Sequence, residues 1–250
     1  MVKVVGASPL LLEAAEVLAE VREDVVVIGA VAVQVHLADR EVALTPTRDV
    51  DAGIATDAAE RVVAHLEARG LRRSELEHER PFTWVGDELK VQLLRPFHPF
   101  PKGAARGLPV NNIISELVQH RVMIAFDTEP NQGRFWIASA AALVGLKEAA
   151  FGRTRFTGEP VDRDFSDAAL LLDRVADEIA AELSTPSPMR GRVLRAAQRL
   201  LTDEAATAAA ARELVASGQE ADHRSAEAVV KRSAARFQRL LERGQAEPPS

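Results

Sequence analysis

Asp49 and Asp51 are the two residues of this sequence whose types and spacing point most directly to chemistry. Side chains two positions apart on a strand project from the same face, so a strand over DVDAGI would place both carboxylates side by side, about 7 Å apart at the backbone. Two carboxylates this close repel each other unless a cation or a proton lies between them. The pair therefore suggests a divalent metal ion, and the alternative is a turn-capping pair without a metal.

A glycine between a strand and a helix gives this pair a partner. The run DVVVIG predicts a buried strand, and a short helix is predicted directly after it, so Gly29 lies at the junction. Backbone N–H groups and the positive end of the helix dipole can hold a phosphate at such a place. Gly29 would then hold a phosphate, while Asp49 and Asp51 hold Mg²⁺, or Mn²⁺, against it.

The elements that must position these residues change in character near residue 139. Before it, helical and extended patterns alternate; after it, nearly every segment has a helical pattern. The predicted strands cover 24–29, 49–54, 82–86, 89–94, 120–126 and 133–139. The predicted helices cover 8–21, 30–38, 55–70, 139–152, 164–183, 189–201, 202–217 and 226–244. These patterns predict an α/β (α+β) domain over 1–138, a helical domain over 139–245 and a frayed tail over 246–250.

Composition excludes several classes of protein. The chain has 250 residues, 47% of them hydrophobic, and no cysteine, so we expect a globular protein without disulfides or thiolate metal sites. No apolar run approaches the ~20 residues that cross a bilayer, and the first residues lack a signal-peptide pattern. We therefore expect a cytoplasmic protein without a membrane partner. The net charge of −6 argues against broad attraction to nucleic acid.

The motif around the aspartates resembles a known superfamily. GAVAVQVH at 29–36 followed by TPTRDVD at 45–51 is similar to the first motif of nucleotidyltransferase-fold proteins, in which a small-residue turn precedes Asp-x-Asp. The AbiEii-type toxins of toxin-antitoxin systems carry a Thr or Ser two residues before the first aspartate. Thr47 matches that position, so the motif resembles this subgroup most. The resemblance implies a nucleotidyltransferase-like mixed sheet with flanking helices, followed by a C-terminal helical bundle. It also implies that Thr47 contacts the nucleotide.

Further matches follow in the same order along the chain. IAS at 137–139 leads into a segment with Lys147 and Arg153, and a charged turn then leads to Asp164 and Asp167. The resemblance implies that Lys147 and Arg153 contact the nucleotide, Lys147 at its triphosphate, and that one of the two aspartates is a metal ligand or base. From spacing alone, Asp164 and Asp167 share one helix face. The alternatives are an exposed helical lysine and two acids that favour a helix N-terminus.

Two residues depart from the pattern. Ala30 stands where a second Gly or Ser is usual, which removes a hydroxyl contact and leaves the backbone contact. Gln92 stands where the superfamily often carries a third carboxylate, and an amide cannot supply negative charge or act as a general base. On spacing, Glu88 and Asp87 are poor substitutes, because one lies about 13 Å along the strand and the other faces the opposite side.

The resemblance implies a metal-dependent transfer of NMP from an NTP, such as ATP, to a hydroxyl acceptor. The subgroup implies a toxin that acts on tRNA and has a cognate antitoxin protein as partner. Two alternatives remain open: an enzyme that modifies a small molecule such as an aminoglycoside, and a nucleotide-binding pseudoenzyme that lacks the third carboxylate. The arginine-rich stretch over 190–199 is the predicted surface for an acceptor RNA.

Overall fold

In the computed structural model of this chain, the structure describes residues 2–6, 8–38, 49–87, 89–117, 119–127, 134–151 and 162–246. These residues divide into two compact units. The first unit lies within 1–35 and 46–139, and the second within 36–45 and 140–250. The first contains the sheet, and the second is built from helices.

One mixed sheet forms the centre of the first unit. Its strands are β1 Val2–Val5, β2 Val25–Ile28, β3 Asp49–Ile54, β4 Arg72–Arg73, β5 Thr83–Val85, β6 Lys90–Leu94, β7 Arg121–Phe126 and β8 Phe135–Ala138. Their order across the sheet is β1-β7-β8-β2-β3-β6-β5-β4. The pairs β1/β7, β8/β2 and β3/β6 are parallel, and the others are antiparallel.

The two middle strands of the sheet, β2 and β3, differ in polarity. All four residues of β2 are buried, which is expected of a strand covered on both faces. Along β3 the half-buried positions Asp49 and Asp51 alternate with the buried Val50 and Ala52. This alternation directs the two polar side chains to one face of the sheet and the apolar ones to the other.

Short helices connect these strands: α1 Pro9–Leu18, α2 Gly29–Leu37, α3 Ala59–Ala68 and α4 Ile114–Leu117. The Oγ of Ser8 accepts a hydrogen bond from Leu11 N (3.3 Å) and so caps α1, whose first residue is a proline. Gly70 follows the end of α3 with φ +87°, a left-handed conformation that favours glycine.

The second unit contains helices α5 Ala140–Ala150, α6 Asp162–Arg174, α7 Ala176–Glu182, α8 Pro188–Thr202, α9 Glu204–Ala216 and α10 His223–Ala246. The single helix predicted over 164–183 is wrong, because the chain breaks at Val175 into α6 and α7. Val175 leaves the helical region with φ −127° and ψ 26°. Apolar positions keep a helical spacing before and after Val175. The sequence pattern therefore predicts a continuous helix and does not indicate the break.

The predicted α+β architecture with a C-terminal helical region is confirmed. Strands β1 and β4 add to the predicted strands, and β4 has only two residues, too few for a periodic pattern. Among the described helices, none has the length and apolar character that crossing a bilayer requires.

Asp203 joins two helices of the second unit. Its carboxylate accepts hydrogen bonds from Ala205 N (3.0 Å) and Ala206 N (3.2 Å) at the start of α9. It also accepts one from Arg199 Nε (3.3 Å) on α8. The backbone hydrogen bond from Ala206, against the opposing effect of burial, lowers the pKa of Asp203 below its usual range. Asp203 thus fixes the turn between α8 and α9.

We expect Asp203→Ala to lower the free energy of unfolding at pH 7 by about 1 kcal/mol, because the first turn of α9 loses its side-chain acceptor. A lowered pKa means that the charge stabilises the fold above the unfolded pKa and that this contribution disappears on acidification. Urea unfolding at pH 7 and below pH 4 checks both points. Asp203→Asn keeps an acceptor and should retain most of the stability at pH 7; an equal loss in both variants would contradict the capping role.

Candidate functional site

Strand β3 places Asp49 and Asp51 on the same face of the sheet. Both side chains are half-buried. Val50, which lies between them, and Ala52, which follows them, are buried on the opposite face. Asp51 lies opposite Ile28 of the antiparallel strand β2. Ile28 is the last residue of β2 and directly precedes Gly29. The two carboxylates therefore lie at the end of β2, where the chain turns into α2.

Gly29 and Asp51 are in direct contact. Gly29 has φ +68°, which favours glycine over any residue with a Cβ atom. A Cβ atom built on Gly29 would lie 3.0 Å from Cγ of Asp51 and would overlap its Oδ2. The carboxylate of Asp51 thus fills the space that a side chain at position 29 would need. Gly29 and the half-buried Ala30 form the first turn of α2, whose positive end favours a negative charge here.

The parallel neighbour β6 adds two side chains to this face. Gln92 lies beside Asp51 in the strand register, and Lys90 lies beside Asp49. The position expected for a third carboxylate is thus adjacent to the aspartates, and an amide occupies it. The Nζ of Lys90 lies 3.9 Å from Oδ1 of Asp49, within ionic contact.

Lys90 has a second acidic neighbour that sequence analysis did not identify. Its Nζ donates a hydrogen bond to Oε1 of Glu79 (2.8 Å), and Ser74 Oγ donates to Oε2 of the same carboxylate (3.1 Å). The hydrogen bond from Lys90 lowers the pKa of Glu79, although burial opposes this change. Lys90 was detectable from the sequence, because it lies two residues before Gln92 on the same strand face. Glu79 lies in a turn and gave no such signal.

The donor atoms of this face suit a magnesium ion. Mg²⁺ is commonly bound through one or two carboxylates together with water and substrate phosphates. Asp49 and Asp51 provide two carboxylates on one face, and the side chain of Asp49 is 48% exposed. Within the described ranges no cluster of three or more His, Asp or Glu side chains has the arrangement of a metal site. The two aspartates fit an ion that is shared with a phosphate ligand.

The second unit brings Lys147, Asp164 and Asp167 together. The Nζ of Lys147 on α5 donates to Oδ1 of Asp164 and to Oδ2 of Asp167 on α6, each at 2.7 Å. Only 10–15% of each side chain is exposed. The two aspartates share a helix face, as expected of positions three apart. We call these three residues the lysine triad.

Burial and charge oppose each other in the lysine triad. Burial alone would lower the pKa of Lys147, but the charges of Asp167 and Asp164 and their hydrogen bonds raise it above its usual range. The ammonium therefore stays protonated at neutral pH. Next to the triad, Phe151 and Phe165 stack with ring centroids 4.1 Å apart, which packs the end of α5 against α6.

Arginines of the stretch over 190–199 contact other residues of the helical unit. Arg190 donates to the carbonyl oxygen of Leu183 (3.0 Å), and Arg195 lies 3.3 Å from Glu148. Arg199 donates to Asp203 and lies over the ring of Phe151. These contacts reduce the free positive charge of the predicted RNA surface, which stays a prediction. Thr47 and Arg153 lie outside the described residues.

We expect Gly29→Ala to destabilise the protein more than Gly70→Ala, measured as the free energy of unfolding in urea. Both glycines have positive φ, so both variants lose about 1–2 kcal/mol from backbone strain. A Cβ atom at position 70 meets no atom within 4 Å, whereas one at position 29 displaces the carboxylate of Asp51. We expect about 1–3 kcal/mol of further loss at position 29. Equal losses would contradict the close contact.

We expect Lys147→Met to lower the free energy of unfolding at pH 7 by about 3–5 kcal/mol, because it leaves two mostly buried carboxylates without their cation. The raised pKa of Lys147 means that its contribution is complete below its ordinary pKa of 10.5 and is lost only at higher pH. Chemical denaturation checks the loss. Lys231→Met removes an exposed lysine from α10 as a control. A loss below about 1 kcal/mol for Lys147→Met would contradict the triad's structural role.

Comparison with known proteins bears on the fold. No protein-family model matches this chain, and no curated protein matches it. The chain is similar in structure to the crystal structure of JHP933 from Helicobacter pylori, with a TM-score of 0.50, 14% sequence identity and 97% of each chain covered. At this level of identity the similarity concerns the fold alone, and it supports an α+β architecture with a C-terminal helical region.

Proposed function

We propose that this protein is a metal-dependent nucleotidyltransferase that transfers NMP from an NTP to a hydroxyl acceptor. The observation that carries the proposal is the contact between Asp51 and Gly29, with Asp49 on the same face of β3. This contact places two acidic side chains beside the first turn of a helix, where a phosphate group is favoured. A phosphate and two carboxylates in one place require a cation between them.

Asp49 and Asp51 would hold Mg²⁺, or Mn²⁺, on the face of the sheet. When bound, the ion would neutralise charge on the triphosphate and favour attack of the acceptor hydroxyl on the α-phosphate. Gly29 and Ala30 would donate backbone hydrogen bonds to a phosphate, because the first N–H groups of a helix have no partner within the helix. Because Gly29 has no side chain, the carboxylate of Asp51 can lie directly beside this turn.

The lysine triad suits a role as a fixed charge. The resemblance assigns Lys147 to the triphosphate, and a lysine that remains protonated fits charge neutralisation and does not fit a general base. Asp164 and Asp167 orient its ammonium through two hydrogen bonds of 2.7 Å. In this proposal the two aspartates position Lys147.

The acceptor and the biological setting follow from the sequence resemblance. The resemblance to AbiEii-type proteins implies that tRNA is the acceptor, that the protein is a toxin and that it has a cognate antitoxin. These three properties are part of the proposal for this chain. A small hydroxylated molecule such as an aminoglycoside is the other acceptor class. An acidic protein with a net charge of −6 fits a small cationic acceptor at least as well as RNA.

A nucleotide-binding protein without turnover is the second candidate function. Gln92 favours it, because the amide lies directly beside Asp51 in the position of the expected third acid. An amide accepts a hydrogen bond but supplies no charge for a second ion and no base. Binding without transfer would then be the whole activity of this face of the sheet.

We expect Mg²⁺ and an NTP together to raise the melting temperature of the wild-type protein, and Asp49→Asn or Asp51→Asn to abolish the rise that depends on Mg²⁺. The reason is that each amide removes a negative metal ligand without changing the side-chain shape. Thermal shift with each NTP, with and without Mg²⁺, measures binding. Asp57→Asn replaces an exposed aspartate of the same unit as a control.

Incubation with α-labelled NTPs and either total tRNA or a set of aminoglycosides then separates transfer from binding. Label on tRNA supports the tRNA-directed enzyme, and label on an aminoglycoside supports the small-molecule enzyme. Binding without label in either pool supports the second candidate. Transfer that both aspartate variants retain would overturn the metal assignment.

A further inference from the structure

Lys90 already supplies a positive charge on the face of the sheet where the proposed metal ion would bind. Its Nζ lies 3.9 Å from Oδ1 of Asp49 and 2.8 Å from Oε1 of Glu79. The side chain of Lys90 is 24% exposed and that of Glu79 is 16% exposed, so water screens this pair less than it screens a surface ion pair. A cation that approaches Asp49 therefore meets another cation beside it.

We propose that Lys90 is an internal cation that competes with a divalent ion for Asp49, and that Glu79 sets the metal affinity by holding the ammonium in a hydrogen bond that limits its closer approach to Asp49. This inference rests on the proposed function, because it needs the metal site at Asp49 and Asp51. It deepens that function by assigning roles to two residues outside the aspartate pair. Both act through Asp49 and are positioning residues.

The asymmetry of the two contacts supports this role for Glu79. Lys90 forms a hydrogen bond with Glu79 (2.8 Å) but only an ionic contact with Asp49 (3.9 Å), so Glu79 holds the ammonium more tightly than Asp49 does. The position of Glu79 is itself fixed, because the buried Ser74 donates a hydrogen bond to its other oxygen atom. The lowered pKa of Glu79 keeps its carboxylate charged at neutral pH.

The neutral side chain of Gln92 makes the competition consequential. Asp49 and Asp51 carry two negative charges, and Gln92 in the register beside Asp51 adds none. With Lys90 and Glu79 included, the five side chains together carry two net negative charges, because the ammonium offsets one of three carboxylates. The ammonium reduces the attraction of the two aspartates for one divalent ion, so the position of Lys90 alters the affinity of the protein for that ion.

The experiment measures Mn²⁺ binding to the full-length protein by electron paramagnetic resonance, without nucleotide. Lys90→Met should tighten Mn²⁺ binding roughly three- to tenfold, because it removes a positive charge about one ion-pair distance from the ligand. Glu79→Gln should weaken binding by a similar factor, because the released ammonium moves to Asp49. In the double variant the effect of Glu79→Gln should become smaller, since there is no ammonium to release.

Controls separate this competition from a general effect of charge or folding. Lys102→Met removes an exposed lysine from the same unit and should leave the Mn²⁺ affinity unchanged. Urea unfolding verifies that each variant is folded, and Lys90→Gln replaces Lys90→Met if the latter does not fold. Asp49→Asn should remove Mn²⁺ binding in the wild-type and in the Lys90→Met background.

The outcomes distinguish failure of the Lys90 competition from failure of the metal site at Asp49 and Asp51. Opposite shifts for Lys90→Met and Glu79→Gln support the competition. Unchanged or weaker Mn²⁺ binding in Lys90→Met, with loss of binding in Asp49→Asn, overturns the competition and leaves the metal site in place. The absence of Mn²⁺ binding in all proteins, including Lys90→Met, overturns both the competition and the metal assignment of the proposed function.

Discussion

The contact between the carboxylate of Asp51 and the backbone of Gly29 is the constraint on which the candidate site depends. It requires a residue without a Cβ atom at position 29, in a left-handed conformation, and it requires the register in which Asp51 lies opposite Ile28. A slip of one residue between β2 and β3 would turn both aspartates into the apolar layer and bring Val50 outward. Burial of Val50 and Ala52 therefore holds the acids in place.

An ammonium between two carboxylates occurs in both units, and the two arrangements differ in physical character. Lys147 is nearly buried and makes equal hydrogen bonds of 2.7 Å to Asp164 and Asp167, which gives a rigid cluster with one net negative charge. Lys90 is more exposed and makes unequal contacts, so a change in charge near Asp49 alters its position at lower cost. The first arrangement suits structure and fixed orientation. The second suits adjustment to a ligand.

Local patterns predicted much of the fold. Strand β3 has the predicted bounds, 49–54. The strands predicted over 82–86 and 89–94 correspond to β5 and β6, which pair antiparallel. Such elements are determined by neighbours within a few residues, where side-chain period and turn chemistry are decisive. The break at Val175 and the two short strands left no periodic trace. Strand β1 forms by pairing with β7, which lies far along the chain, and β4 has only two residues.

The sequence by itself determined which residues share a face: Asp49 with Asp51 on a strand, and Asp164 with Asp167 on a helix. Both follow from the fixed periods of strands and helices, which need no tertiary information. The sequence also predicted Gly29 beside the first pair, but only the tertiary structure decided how closely Gly29 and Asp51 approach and that ammonium groups lie beside the pairs, Lys90 at the first and Lys147 at the second. Such contacts depend on strand order and helix packing, because residues separated by tens of positions meet only after the chain has folded.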